Sequence, residues 1–248
     1  MISTETVIEL YQQFRNDLVR VRRRQYWFHQ RHENPLVRRL RKLRLRRHML
    51  FPALDDIEAE VTYLLLRARR PNVVFEMSPN AGWSTSWILN ALRDNDNGGQ
   101  LWSYDIHDTC TKFVPRDLAA GRWHFVQGDA RETTLAAPHF DHCFIDSEHS
   151  RSFAEWFVST LFPRIPPGCV VSVHDVFHSP EPSEEGEVVV KWLADHGLSY
   201  WTPSPFVDAA VTDRIEKERR RLGIDYAIIR APACHNPMLF FETGAAGR

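Results

Sequence analysis

The chain has 248 residues, 43% of them apolar, with 31 Lys/Arg against 32 Asp/Glu and a formal net charge of −1. That length can bury a full core, and one large domain with an appendage is the natural arrangement. No apolar run approaches the roughly 20 residues that cross a bilayer and the N-terminus lacks a signal-peptide pattern. Cys110, Cys143, Cys169 and Cys234 show no CxxC or Cys/His spacing, so reduced thiols in a cytoplasmic protein are expected rather than a zinc site or disulfide framework.

The near-zero net charge hides an asymmetry. Residues 15–47 hold thirteen Lys/Arg against Asp17 and Glu33. Val7, Leu10, Tyr11, Phe14, Leu18 and Val21 recur at helical spacing, which predicts a helix over residues 4–30. Pro35 interrupts it, "LVRRLRKLRLRRHML" (36–50) resumes as a second basic amphipathic helix, and Pro52 closes the segment. Residues 1–52 are therefore expected to form a basic helical extension, and residues 53–248 the main domain. Asp55 and Asp56 open a third helix that ends in arginines, as the helix dipole favours.

After Pro71 the texture changes to strands alternating with helices. "NVVFEMS", "GGQLWSYDIH", "RWHFVQGDA", "FDHCFIDSEH" and "PGCVVSVHDVFH" read as five strands with their exit turns. "WSTSWILNALRDN", "RSFAEWFVSTLFPRI" and "GEVVVKWLADHG" read as helices. Near the end, "YAIIRA" and "MLFFET" read as two more strands, one of them an antiparallel edge. The pattern predicts an α/β fold: a Rossmann-like, doubly wound, mostly parallel sheet with an antiparallel edge strand, plus the N-terminal basic helices.

Ligands of open α/β sheets bind outside the carboxyl ends of the strands. Here those ends carry Glu76, Asp105, Asp129, Asp146 and Asp175 in turn, the last preceded by His174. A single acid at such a place is usually a helix cap or turn former, but five at corresponding places are hard to explain by capping. The loop "FEMSPNAGWST" follows the first strand with one glycine, Gly82, and without the GxGxxG of a hydride-transferring Rossmann enzyme.

In order and spacing, "FEMSPNAGWSTSWIL", "SYDIH", "FVQGDA", "FDHCFIDSEHS" and "PPGCVVSVHDVF" resemble class I S-adenosylmethionine-dependent methyltransferases. The nearest likeness is to the bacterial small-molecule O-methyltransferases whose fourth and fifth strands end in IDxxHS and HD. It covers about residues 55–200. The resemblance implies a cofactor site drawn from Glu76, Ser78, Asn80, Gly82, Ser84, Asp105, Asp129, Ala130 and Asp146. Glu76 and the 78–82 loop would hold the methionine part, with Gly82 permitting close backbone approach. Asp105 suits the two ribose hydroxyls, since a carboxylate accepts both hydrogen bonds, and Asp129 would lie at the adenine.

A hydroxyl acceptor is a poor nucleophile until it loses its proton, and a divalent cation lowers its pKa. Asp146, His174 and Asp175 are the expected metal ligands, with Mg²⁺ suggested by the two acids and a softer ion by the histidine. Glu148 and His149 are the candidates for general base, His178 a weaker one. "SPEPSEEGE" (179–187) reads as a solvated connector or as a mobile wall over the acceptor. The expected acceptor is a small molecule, a sugar or glycosylated metabolite. The basic helices suit packing on the domain, a homodimer contact or a peripheral membrane contact. Nucleic acid is disfavoured as a partner because the acceptor-side motif adds negative charge and an Asn/Asp-Pro-Pro-aromatic motif is absent. A nucleic-acid or N-methyltransferase, or a non-catalytic cofactor-binding partner, are the rival readings.

Overall fold

The structure, a computed structural model, describes residues 1–33, 54–134, 137–229 and 235–244. The second basic helix expected at 36–50, Pro35, Pro52 and Cys234 lie outside the described residues. Seven strands form one sheet in the order β3-β2-β1-β4-β5-β7-β6. They are β1 (Val73–Met77), β2 (Gln100–Asp105), β3 (Trp123–Gln127), β4 (His142–Ile145), β5 (Val170–Val173), β6 (Tyr200–Trp201) and β7 (Leu239–Glu242). β1 to β5 are mutually parallel, and β7 runs antiparallel between β5 and β6.

Register brings the strand exits to one edge. Met77 lies opposite both Tyr104 and Ile145, Asp105 opposite Gln127, and Ile145 opposite Val173. β1 has β2 on one side and β4 on the other, so the chain reverses its winding at β1. A crevice opens at such a reversal. The Val, Phe and Ile of the central strands β4 and β5, with Val74 and Phe75 of β1, are buried, as helices covering a parallel sheet require.

The expected helix over 4–30 is two helices, α1 (Thr4–Gln13) and α2 (Arg15–Glu33), broken at Phe14. Val7, Leu10, Tyr11, Leu18 and Val21 join the same core as α3 (Asp56–Arg69) and α4 (Trp83–Asn95). Buried Glu60 of α3 accepts from Tyr11 Oη at 2.7 Å and from Arg219 at 3.0 and 3.1 Å, and pairs with buried Arg22. Two arginines and a tyrosine on one carboxylate tie the N-terminal helices to α9 (Pro205–Leu222) through the interior.

Two strand expectations are corrected. "YAIIRA" forms no strand over its described residues 226–229: the N–H groups of Ile228 and Ile229 donate to the carboxylate of Asp56, which leaves no ladder there. The sheet's edge is instead Tyr200–Trp201, a two-residue strand.

Candidate functional site

The exit of β1 is a tight turn in which Ser78, Asn80 and Gly82 all have positive φ (59°, 48° and 84°). Ser78 N–H donates to Tyr104 O at 2.8 Å, and Asn80 N–H to Asp105 Oδ2 at 3.0 Å, so the turn is pinned to β2. Only glycine fits the third position. A Cβ on Gly82 would stand 2.5 Å from Val114 Cγ2, so packing against the protein, not ligand approach, is what the structure shows demanding it. Beneath the turn Glu76 is fully buried and accepts from Ser84 Oγ (2.7 Å), Thr85 Oγ1 (2.9 Å) and Ser103 Oγ (2.5 Å). Burial pushes its carboxyl up to about 7 against the pull of these hydroxyls.

Asp105 is 8% exposed, and each of its oxygens accepts one backbone N–H: Asn80 at Oδ2, and His107 at Oδ1 at 2.9 Å. Burial pushes this carboxyl up, and those two N–H groups oppose the shift. One further lone-pair site remains on each oxygen. Asp129 caps the short helix α6 (Ala130–Thr133) through Arg131 N and pairs with the Arg131 guanidinium at 2.7 Å, which holds its carboxyl below the usual range. A cavity of about 170 Å³ runs between these exits, lined by Ser78, Asp105, Ile106, Asp129, Ala130 and Arg131 on one side and Ser147, Glu148 and Phe153 on the other.

The exits of β4 and β5 are built differently. His149 Nε2 lies 3.0 Å from Asp175 Oδ2 and 3.8 Å from Asp146 Oδ1, while Nδ1 donates to Glu185 Oε2 at 2.8 Å. Hydrogen bonds that the ring donates to the Asp175 and Glu185 carboxylates raise the imidazole to about 10. His174 is 2% exposed and points inward, with Nδ1 3.1 Å from Asp175 and 3.3 Å from Asp146, and Nε2 3.4 Å from buried Glu58. Burial disfavours its charge, but Asp146 and Glu58 outweigh this and hold its pKa well above the ordinary imidazole value. His178 Nε2 is 3.0 Å from Asp175 Oδ1. Burial opposes ionisation of Asp175 too, and His149 and His174 overcome it, so its carboxyl lies well below the usual range.

Residues 79–176 match the sequence profile of a family described as a methyltransferase domain. Over that segment the chain is similar to a methyltransferase domain. Its fold is shared with solved structures at low identity. A Staphylococcus aureus protein with the provisional name caffeoyl-CoA O-methyltransferase is 12% identical with a TM-score of 0.53, over 87% of this chain and 95% of its own. A provisionally named O-methyltransferase from Klebsiella pneumoniae is 15% identical with a TM-score of 0.51, over 91% and 90%. The cofactor-bound Rv0187 from MTB is 15% identical with a TM-score of 0.51, over 78% and 82%. No curated protein matches the chain.

Of the residues expected at the site, Ser78, Asp105, Asp129, Ala130 and Glu148 line the cavity, whereas Glu76 and Ser84 do not and are bonded to each other. Gly82 starts α4, and Asn80 contributes its backbone to Asp105. Among the described residues, the group whose ligand atoms lie within 4.8 Å of one another is Asp146, His149 and Asp175. His149 thus occupies the place expected for His174, whose ring is held inward by Glu58. Sequence reasoning missed Glu185, Arg131 and Ser147. Glu185 sits in the Pro/Ser/Glu-rich stretch, whose only local signal of order is the Ser183 cap of α8 (Glu184–Asp195).

Proposed function

We propose that the chain is an S-adenosylmethionine-dependent O-methyltransferase acting on a small-molecule hydroxyl, a saccharide or glycosylated metabolite, with a divalent cation assisting. The observation that carries this reading is the pairing, along one sheet edge, of the Asp105 cavity with the Asp146–His149–Asp175 cluster. The cofactor fits the residues present. Asp105 keeps a lone-pair site on each oxygen for ribose hydroxyls, and Ser147 Oγ is buried at the cavity without a hydrogen-bond partner. A cation fits the second group, where two carboxylates and an imidazole converge and Asp175 Oδ1 and Glu185 Oε1 have no aligned hydrogen bond. Its mixed oxygen and nitrogen donors suit Mn²⁺ or another first-row ion as well as Mg²⁺. Two proteins that share the fold are named as O-methyltransferases, which agrees with oxygen as the acceptor.

The methyl of a sulfonium is already electrophilic. S-adenosylmethionine, when bound, would supply that methyl to the acceptor oxygen and keep the C–S electron pair on its sulfur. The hydroxyl proton must leave, and Glu148, exposed on the cavity wall, is the group we assign to receive it. His149 is not, because both ring nitrogens are engaged by carboxylates. A bound divalent cation supplies acidification of the hydroxyl. Asp105 and the pinned 78–82 turn orient the cofactor, which contributes through alignment. Among the described residues of α2, Arg22 pairs with Glu60 and Arg24 with Asp94.

The test is thermal stabilisation by S-adenosylmethionine, combined with S-adenosylhomocysteine release over a panel of sugars, phenols and catechols. Asp105→Ala is expected to lose the stabilisation. Asp146→Ala with Asp175→Ala should keep it and lose turnover. No stabilisation of the unmodified protein would sink the cofactor assignment, and turnover that survives chelation would sink the metal assistance.

A further inference from the structure

The stretch "SPEPSEEGE" looks like a connector in sequence, yet the fold stitches it to the exit of β5. Ser183 Oγ donates to Asp175 O at 2.8 Å, and Ser183 N–H to Val176 O at 2.8 Å. Gly186 lies so close that a Cβ there would meet Val176 Cγ1 at 2.8 Å and Val176 O at 3.0 Å. This close approach brings the first turn of α8 down onto the Asp146–His149–Asp175 cluster. Its neighbours Glu184 and Glu187 face solvent, while Glu185 is 1% exposed. Glu185 Oε2 takes the Nδ1–H of His149, and Oε1 is buried with no hydrogen-bond partner.

A buried carboxylate is costly unless it is used. An imidazole offers two nitrogens, and the bond made by one decides what the other presents. We propose that Glu185 is the positioning residue of this centre: by accepting Nδ1–H it fixes the His149 ring with Nε2 turned toward Asp146 and Asp175. The role rests on the reading of that cluster as a cation site, where a histidine ligand is oriented by a carboxylate on its far nitrogen. It also explains why the acidic, Pro-rich segment is folded tightly against β5 instead of lying free.

The experiment uses the full chain with Mn²⁺ as the probe. Calorimetry measures Mn²⁺ affinity, and proton–nitrogen correlation spectra of metal-free ¹⁵N-histidine protein read the hydrogen bond of His149 Nδ1–H. Glu185→Ala is expected to weaken Mn²⁺ binding about 10- to 100-fold and to shift the His149 Nδ1–H signal out of its hydrogen-bonded position, with S-adenosylmethionine affinity kept. Glu185→Gln, whose amide oxygen can still accept Nδ1–H, should stay within a few-fold. Glu185→Asp keeps charge and fold but withdraws the carboxylate by a methylene, and should lose about tenfold, which covers the case that the alanine variant misfolds. Unchanged affinity and an unchanged His149 spectrum in the Ala and Asp variants overturn the positioning role. No Mn²⁺ binding by the unmodified protein overturns the cation reading instead, and the nitrogen spectra then decide Glu185 alone.

Discussion

The exits of β1 and β2 and those of β4 and β5 are both carboxylate-lined, but they satisfy their acids in different ways. Glu76 and Asp105 accept from neutral donors: three hydroxyls on one, two backbone N–H groups on the other. Asp146 and Asp175 face His149, His174 and His178. Neutral donors fixed by the backbone make a rigid cradle whose shape does not depend on an exchangeable partner. An acid and imidazole cluster is held by charge, and a cation can take the place of protons within it. On the proposed reading, the first half holds a ligand in one pose and the second handles charge.

The largest expected effect breaks the second half alone. Asp175→Asn removes the charge that His149, His174 and His178 share, and turnover should fall about 10³-fold, as when a site loses one preorganised electrostatic group. Cofactor-induced stabilisation should be retained. A variant that also loses cofactor binding would show that the two halves are one unit.

Next in size is a pH effect confined to the first half. Glu76 ionises at about 7 in the folded protein, against 4.5 when unfolded, because burial disfavours its charge. Between those values the folded chain binds the extra proton, so stability falls as pH rises from 4.5 to 7, by on the order of 3 kcal/mol. Below 4.5 both states are protonated and the contribution is flat. Glu76→Gln should flatten that slope in denaturation midpoints taken across the window. An unaltered slope would mean that the three hydroxyls carry the charge without cost.

A smaller effect separates packing from ligand contact. Gly82→Ala must hold φ near 84° and overlap Val114, for about 2 kcal/mol of lost stability. Adding Val114→Ala should restore part of it, because the overlap is with that side chain. If the double variant recovers nothing, backbone strain carries the whole cost.

The strand-end acids were legible in sequence because each follows a short apolar run and precedes a helix, a pattern that fixes both their place and their edge. What stayed hidden was orientation. "HD" suggested that His174 and Asp175 ligate one ion together, yet it is Asp175 that joins Asp146 and His149, with His174 paired behind it. His174 turns inward to Glu58, and Asp175, at φ 56°, turns out to His149. "YAIIRA" had the composition of a strand, and only the distant Asp56 carboxylate, taking its N–H groups, decides otherwise. Glu185 was invisible for a similar reason. Its burial is set by Gly186 packing on Val176, a contact that no local pattern announces. Tyr200–Trp201 is too short to show any period.

The smallest expected effect tests whether the rule for the first half reaches β3. Asp129 is its exception, since its carboxylate is paired with a charged group, Arg131. Both partners are exposed to solvent, the carboxylate less so, where ion pairs contribute little. Asp129→Asn keeps an equally good helix cap for Arg131 N and deletes only the charge. Thermal midpoints should therefore stay within about 1 °C of the unmodified protein and cofactor affinity within a few-fold, because Arg131 already neutralises what is lost. Calorimetry that instead shows a tenfold or larger loss of S-adenosylmethionine affinity would mean that the Asp129 charge meets the ligand. The first half would then depend on an ionised partner as the second does, and the contrast between neutral cradle and charge cluster would hold only for β1 and β2.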